Sequence, residues 1–160
     1  MKMKSLPVLL SLLAPLLLLP LGHASVFPGS GTFAQTGVNS ITVSQVNDIL
    51  IIHENFDLVF TGAFTGTTVG TTTIIINTKT NTGTFNGQNT FTGTVTTSSG
   101  TASGTLQAPF QATFVGNNFQ GQYTLFGGTG DLTSLEGRGT IQGVLNPSFV
   151  GTYSGLFTPS

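Results

Sequence analysis

Gln122-Tyr-Thr-Leu-Phe-Gly-Gly-Thr-Gly-Asp-Leu-Thr-Ser-Leu-Glu-Gly-Arg-Gly-Thr140 reads as a strand, a glycine turn, a short compact loop and a second strand. Gly127, Gly128 and Gly130 open backbone angles closed to other residues. Leu132 and Leu135 are placed to pin the loop to a core, and Asp131 is expected to cap the Thr133–Glu136 turn. The signature turn is therefore Gly128, Thr129, Gly130 and Asp131.

Outward from this stretch, nearly every segment after Gly31 alternates with period two, the signal of a strand with one apolar face. Phe149, Gly151, Tyr153, Gly155 and Phe157 alternate with Val150, Thr152, Ser154 and Leu156. Phe56, Leu58, Phe60, Gly62 and Phe64 share one face, and Phe110, Ala112 and Phe114 another. Phe91, Gly93 and Val95 repeat the pattern, as do Phe119, Gly121, Tyr123 and Leu125. Further strands are expected over 31–36, 41–47, 69–78, 101–107 and 139–145. Turn signals separate them at Gly37-Val-Asn-Ser40, Asn81-Thr-Gly83, Asn86-Gly87, Ser98-Ser-Gly100, Gly116-Asn-Asn118 and Asn146-Pro147. No stretch after Ser25 keeps a helical period, so the fold class is all-β.

Two features favour a closed antiparallel up-and-down β-barrel of about eight strands over a sandwich. Short spacing and tight turns suit a meander. An exposed strand edge is normally guarded by Lys, Glu or Pro, and this chain has few charges to spend on guarding. Closure is expected to remove the edge altogether.

The motif from Tyr123 to Thr140 resembles the signature of the allene oxide cyclase-like barrels. That superfamily includes plant dirigent proteins and bacterial secreted families of unknown function. Phe91-Thr-Gly-Thr-Val95, Ser103-Gly-Thr-Leu-Gln107, Phe119-Gln-Gly-Gln-Tyr123 and Gly151-Thr-Tyr-Ser-Gly155 are similar to successive strands of the bacterial members. The resemblance implies a barrel and leaves a homo-oligomer open. Dirigent proteins tend to carry Ala-Arg-Gly where this chain has Leu135-Glu136-Gly137. The acidic and amide residues of the plant cyclase cavity have no matching positions here, so the resemblance transfers no catalytic residue.

Residues 1–24 read as a cleaved signal peptide: Lys2 and Lys4, an apolar run from Leu6 to Leu21, then Gly22-His23-Ala24 before the cut. Pro7, Pro15 and Pro20 interrupt the run, which is shorter than the roughly 20 residues of a membrane-spanning helix. Residues 25–30 form a short linker and residues 31–158 the barrel domain. The expected location is secreted, extracellular or periplasmic.

Beyond Ala24 the chain has two cations, Lys79 and Arg138, against Asp48, Glu54, Asp57, Asp131 and Glu136, a net charge of −3. Such a surface does not neutralise rows of phosphates, which argues against nucleic acid and anionic membrane as partners. Cysteine is absent, so there is no disulfide or thiol chemistry. Threonine replaces the usual charged residues as the solvent-facing partner of each apolar residue.

Candidate chemistry is sparse. If 53–60 is one strand, Glu54 shares the face of Phe56, Leu58 and Phe60, near one mouth of a barrel, where a carboxylate acquires a raised pKa and can act as acid or base. The alternative has His53, Glu54, Asn55 and Asp57 all outside in solvent. His53 and Asp57 stand roughly 13 Å apart along a strand, too far to share a metal, and no metal or cofactor is expected. Phe56, Phe60, Phe91, Tyr123 and Tyr153 are the candidate cavity residues.

Two function classes follow. One is a secreted barrel that binds a small apolar molecule in its interior, with or without guiding its cyclisation or coupling. The other is a non-catalytic extracellular protein whose Thr/Asn/Gln surface contacts polysaccharide, another copy of itself or ice. An internal void of a few hundred Å³ supports the first, and a solid interior the second.

Overall fold

The computed structural model describes residues 25–159. The leader assigned to residues 1–24 lies outside the described residues. Eight antiparallel strands follow in chain order: β1 (Phe27–Val46), β2 (Ile49–Gly62), β3 (Phe64–Asn77), β4 (Thr82–Thr97), β5 (Gly100–Val115), β6 (Asn118–Leu125), β7 (Leu135–Val144) and β8 (Val150–Pro159). Each pairs with its neighbours in sequence and β8 returns to β1, closing the ring as a barrel. Among the described residues a single 3-10 turn, Gly130–Leu132, interrupts the strands.

Alternation sorts the side chains as the period-two pattern predicts. Along β4, Phe85, Asn89, Phe91 and Val95 are buried, while Thr84, Asn86, Gln88 and Thr92 face out. The lumen is packed with aromatic rings. Phe119 stacks on Phe149 at 4.9 Å, and Phe64 meets Phe157 edge-on at 5.0 Å. Each such ring contributes about 1.5–3 kcal/mol through burial.

Several expectations are corrected. The first strand starts at Phe27, which pairs with Phe157 and is 6% exposed, so residues 27–30 are barrel wall rather than linker. Gly37-Val-Asn-Ser40 is not a turn. Register shifts between Gln35 and Gly37 and between Val38 and Ser40 bend β1 without ending it. Asn86-Gly87 lies mid-strand, where a Cβ on Gly87 would strike the Thr71 carbonyl oxygen and the Phe110 ring. The runs 101–107 and 110–114 are one strand through Pro109. This proline stands at a fork, where β5 leaves β6 beyond Phe110 and Gln107 bridges to Phe126 instead.

Closure leaves two stretches of edge. Along the first half of β5, the loop after β6 covers the gap. Gln107 and Phe126 exchange backbone hydrogen bonds, Thr129 N–H donates to the Thr105 carbonyl at 3.1 Å, and Asp131 Oδ2 accepts from the Ser103 N–H at 3.2 Å and hydroxyl at 3.1 Å. Asp131 thus ties the loop to β5 instead of capping a turn. Leu132 and Leu135 enter the core at 1% and 3% exposure. Along β1, β8 pairs only with Phe27–Ala34, and among the described residues 37–46 pair with β2 alone. Closure therefore does not remove every edge.

Candidate functional site

The five aromatic candidates meet. Phe56, Phe60, Phe91, Tyr123 and Tyr153 line one cavity in the lumen, together with Phe33, Phe110 and Leu125. Its volume is about 60 Å³. That is room for a few water-sized groups, well below the roughly 300–1,000 Å³ of ordinary ligand pockets. The interior is essentially filled by its own rings.

Three polar atoms at this cavity are buried without a partner among the described residues: Thr68 Oγ1, Asn89 Oδ1 and Tyr123 Oη. Burial raises the Tyr123 phenol far above its ordinary pKa, and the charge of Tyr153 adds to the shift. Tyr153 is raised too, chiefly by burial, with the Phe64 N–H pulling the other way. Its hydroxyl accepts that N–H at 2.8 Å and donates to the Thr61 carbonyl at 3.1 Å. It braces the β2–β3 turn.

Glu54 lies outside the lumen cavity, beyond Phe56 toward the β1–β2 turn. Its Oε1 accepts a hydrogen bond from Gln35 Nε2 at 2.5 Å. Partial burial raises its pKa, and the Gln35 bond offsets part of that rise. His53 points outward, its Nδ1 3.0 Å from Thr73 Oγ1. Asp57 accepts from Asn39 Nδ2 at 3.0 Å. Among the described residues no three His, Asp or Glu gather where they could hold a metal.

A larger concavity lies on the outside. A groove of about 1130 Å³ crosses β2 to β7, with Glu54, Thr72, Gly87, Phe110, Tyr123 and Gly139 along its floor. These floor residues stand opposite one another from strand to strand, so the groove runs across the strands. One bank is the register row His53, Thr73, Asn86, Gln111, Gln122 and Thr140; the other carries Asn55, Thr71, Gln88, Pro109, Thr124 and Arg138. Banks two residues apart are roughly 6.7 Å apart, and six strands give a run of roughly 24 Å. A second groove of about 770 Å³ lies beyond Asn86, Gln111 and Gln122, with Thr84, Thr113, Gln120 and Gln142 as its far bank.

The amides of these banks donate and accept hydrogen bonds at once, and Arg138 is the one strong cation along them. The sequence shows this surface as a general Thr/Asn/Gln bias. It does not show that Asn86, Gln111 and Gln122 stand in one row, because that depends on strand register. Outward parity of amides on successive strands is the signal that points to them.

No family model matches this chain, and no curated protein matches it. Among solved structures it is similar to a protein of unknown function from the DUF3224 family of Shewanella oneidensis MR-1, at 15% identity and a TM-score of 0.64. That likeness covers 85% of this chain and 98% of the other. At this identity the likeness carries the fold, an all-β ring of antiparallel strands, and nothing of activity.

Proposed function

We propose that this is a secreted, non-catalytic binding protein whose outer grooves hold a neutral polysaccharide. The observation that carries the reading is the row Asn86, Gln111 and Gln122 between two grooves, one of them crossing six strands. Sugar hydroxyls need partners that both donate and accept, which amides and threonines provide. A groove roughly 24 Å long suits an extended polymer better than a compact metabolite. The near absence of charge along the banks favours an uncharged chain. With no exposed aromatic on these banks to stack against a sugar ring, each contact is weak and affinity comes from their number.

The test is affinity electrophoresis through gels containing neutral glucans, mannans or xylans, with anionic polysaccharides alongside. Wild type should be retarded by at least one neutral polymer. The double variant Gln111→Ala/Gln122→Ala should bind about tenfold more weakly or worse, at about 1 kcal/mol per lost hydrogen bond. Unretarded migration of wild type in every gel sinks the proposal.

A second reading is favoured by the three unpartnered atoms at the lumen cavity. On this reading the barrel is of the allene oxide cyclase-like kind and holds a guest of a few heavy atoms beside Thr68, Asn89 and Tyr123. The cavity volume argues against a larger apolar guest and against a cyclisation run inside it. Thermal shift with small alcohols and amides tests this; a shift abolished by Asn89→Leu supports it, and no shift with any of them removes it.

A further inference from the structure

The two stretches of open edge are treated differently. The loop after β6 covers the first half of β5, whereas β1 beyond Thr36 has no second strand among the described residues. This part of β1, Gly37-Val-Asn-Ser-Ile-Thr-Val-Ser-Gln-Val46, contains no Lys, Arg, Asp, Glu or Pro, the residues that guard an edge. Val38, Ile41, Val43 and Val46 on it are each more than half exposed. From Ser40 to Val46 its ladder with β2 is unbroken, so its outer side presents regular, unpaired backbone groups.

We propose that this edge is a dimer interface, where two copies pair β1 with β1 in antiparallel fashion about a two-fold axis at Thr42. A two-fold axis normal to the sheet pairs residues of equal parity. Centred on Thr42, it sets Ile41 of each copy opposite Val43 of the other and Ser40 opposite Ser44. Apolar residues then meet on one face and hydroxyls on the other. Centring on Val43 would set Ile41 against Gln45, and centring on Ile41 would draw in the bulge at Asn39. The register at Thr42 is thus the self-complementary one. The occupant is a second copy because the segment complements itself and is neutral, while residues 25–160 as a whole carry a net charge of −3. A two-fold pair also uses up the edge, so association stops at two.

The chain has no cysteine, which makes the test clean. Opposed residues in an antiparallel pair have Cβ atoms about 4.5–5.5 Å apart, close enough for a disulfide with slight adjustment. Full-length Thr42→Cys should form a covalent dimer under mild oxidation. Ser40→Cys and Ser44→Cys should crosslink poorly alone and well when mixed. Thr42→Lys should raise the dimer dissociation constant about tenfold or more while leaving the circular dichroism spectrum unchanged. A wild type that sediments as a monomer at every concentration overturns the proposal, as do equal crosslinking rates at 42 and 44. A monomer whose residue 37–46 amides resist hydrogen exchange would place another part of the same chain on this edge, and overturns it equally.

Discussion

The Tyr153 hydroxyl accepts the backbone N–H of Phe64 at 2.8 Å, from β8 across to the turn that joins β2 to β3. Tyr123, on the same inner surface, has a buried hydroxyl that meets no partner among the described residues. The two tyrosines on this surface thus differ in what their oxygen does. Tyr153→Phe leaves the Phe64 N–H unsatisfied in the core and should cost about 1–3 kcal/mol. Tyr123→Phe removes an unpaired buried hydroxyl and should leave stability unchanged or raise it. Urea unfolding of the two variants beside wild type decides the matter; equal losses would contradict the assigned roles.

Both phenols also set the alkaline limit of the fold. Their folded pKa values lie above the ordinary value near 10, through burial in both and, for Tyr123, the added charge of Tyr153. Below about pH 10 both states hold these protons and the contribution to stability is complete. Above it the unfolded chain releases them first, so stability falls as pH rises toward the folded values. Absorbance near 295 nm, followed with circular dichroism, should show tyrosine ionisation arriving together with unfolding. Ionisation well before any loss of structure would refute this.

Much of this architecture is legible in the residues, for a physical reason. Phe56, Phe60, Phe91, Tyr123 and Tyr153 converge on one cavity because each sits on the apolar parity of its strand, and a ring has one inside. What parity cannot carry is register and volume. Gly37-Val-Asn-Ser40 has the letters of a turn, but Val38 lies opposite Phe56 and Ser40 opposite Asn55, so the chain bends and continues. Pro109 looks like a strand end until the fork at Gln107 and Phe126 is seen. The row of Asn86, Gln111 and Gln122 depends on the turns at Ser98-Ser99 and Gly116-Asn117, which fix the alignment of β4, β5 and β6. Cavity size is decided by how rings such as Phe119 and Phe149 stack, which periodicity does not encode.

Glu54 gives a pH dependence opposite to that of most carboxylates. Burial raises its folded pKa above the unfolded value near 4.3, and the Gln35 hydrogen bond offsets only part of this. Its folded form therefore prefers the proton, and stability declines as pH rises from the unfolded pKa to the folded one. Glu54→Gln keeps a hydrogen-bonding group beside Gln35 without the charge. Its melting temperature should exceed that of wild type at pH 7, with the gap closing below about pH 4. A variant less stable than wild type at pH 7 would show that the Gln35 bond to the carboxylate outweighs desolvation.

The glycines of the loop that covers β5 do different jobs, and substitution separates them. Gly127 and Gly130 have φ of 62° and 61°, the left-handed region, whereas Gly128 is not left-handed and is required for space. A Cβ on Gly128 would strike the Leu132 carbonyl oxygen and crowd that of Thr105, both backbone atoms that cannot swing aside. At Gly127 the nearest atom to such a Cβ is Gln107 Cγ at 3.7 Å, an ordinary contact. Gly127→Ala therefore meets backbone strain alone, on the order of 1 kcal/mol. Gly128→Ala must push Leu132, which is 1% exposed, out of its seat in the core and should cost more. Hydrogen exchange at Thr105 and Gln107 reports the difference directly. Their amides bond to Thr129 Oγ1 and the Phe126 carbonyl, so they should lose protection in Gly128→Ala and largely keep it in Gly127→Ala.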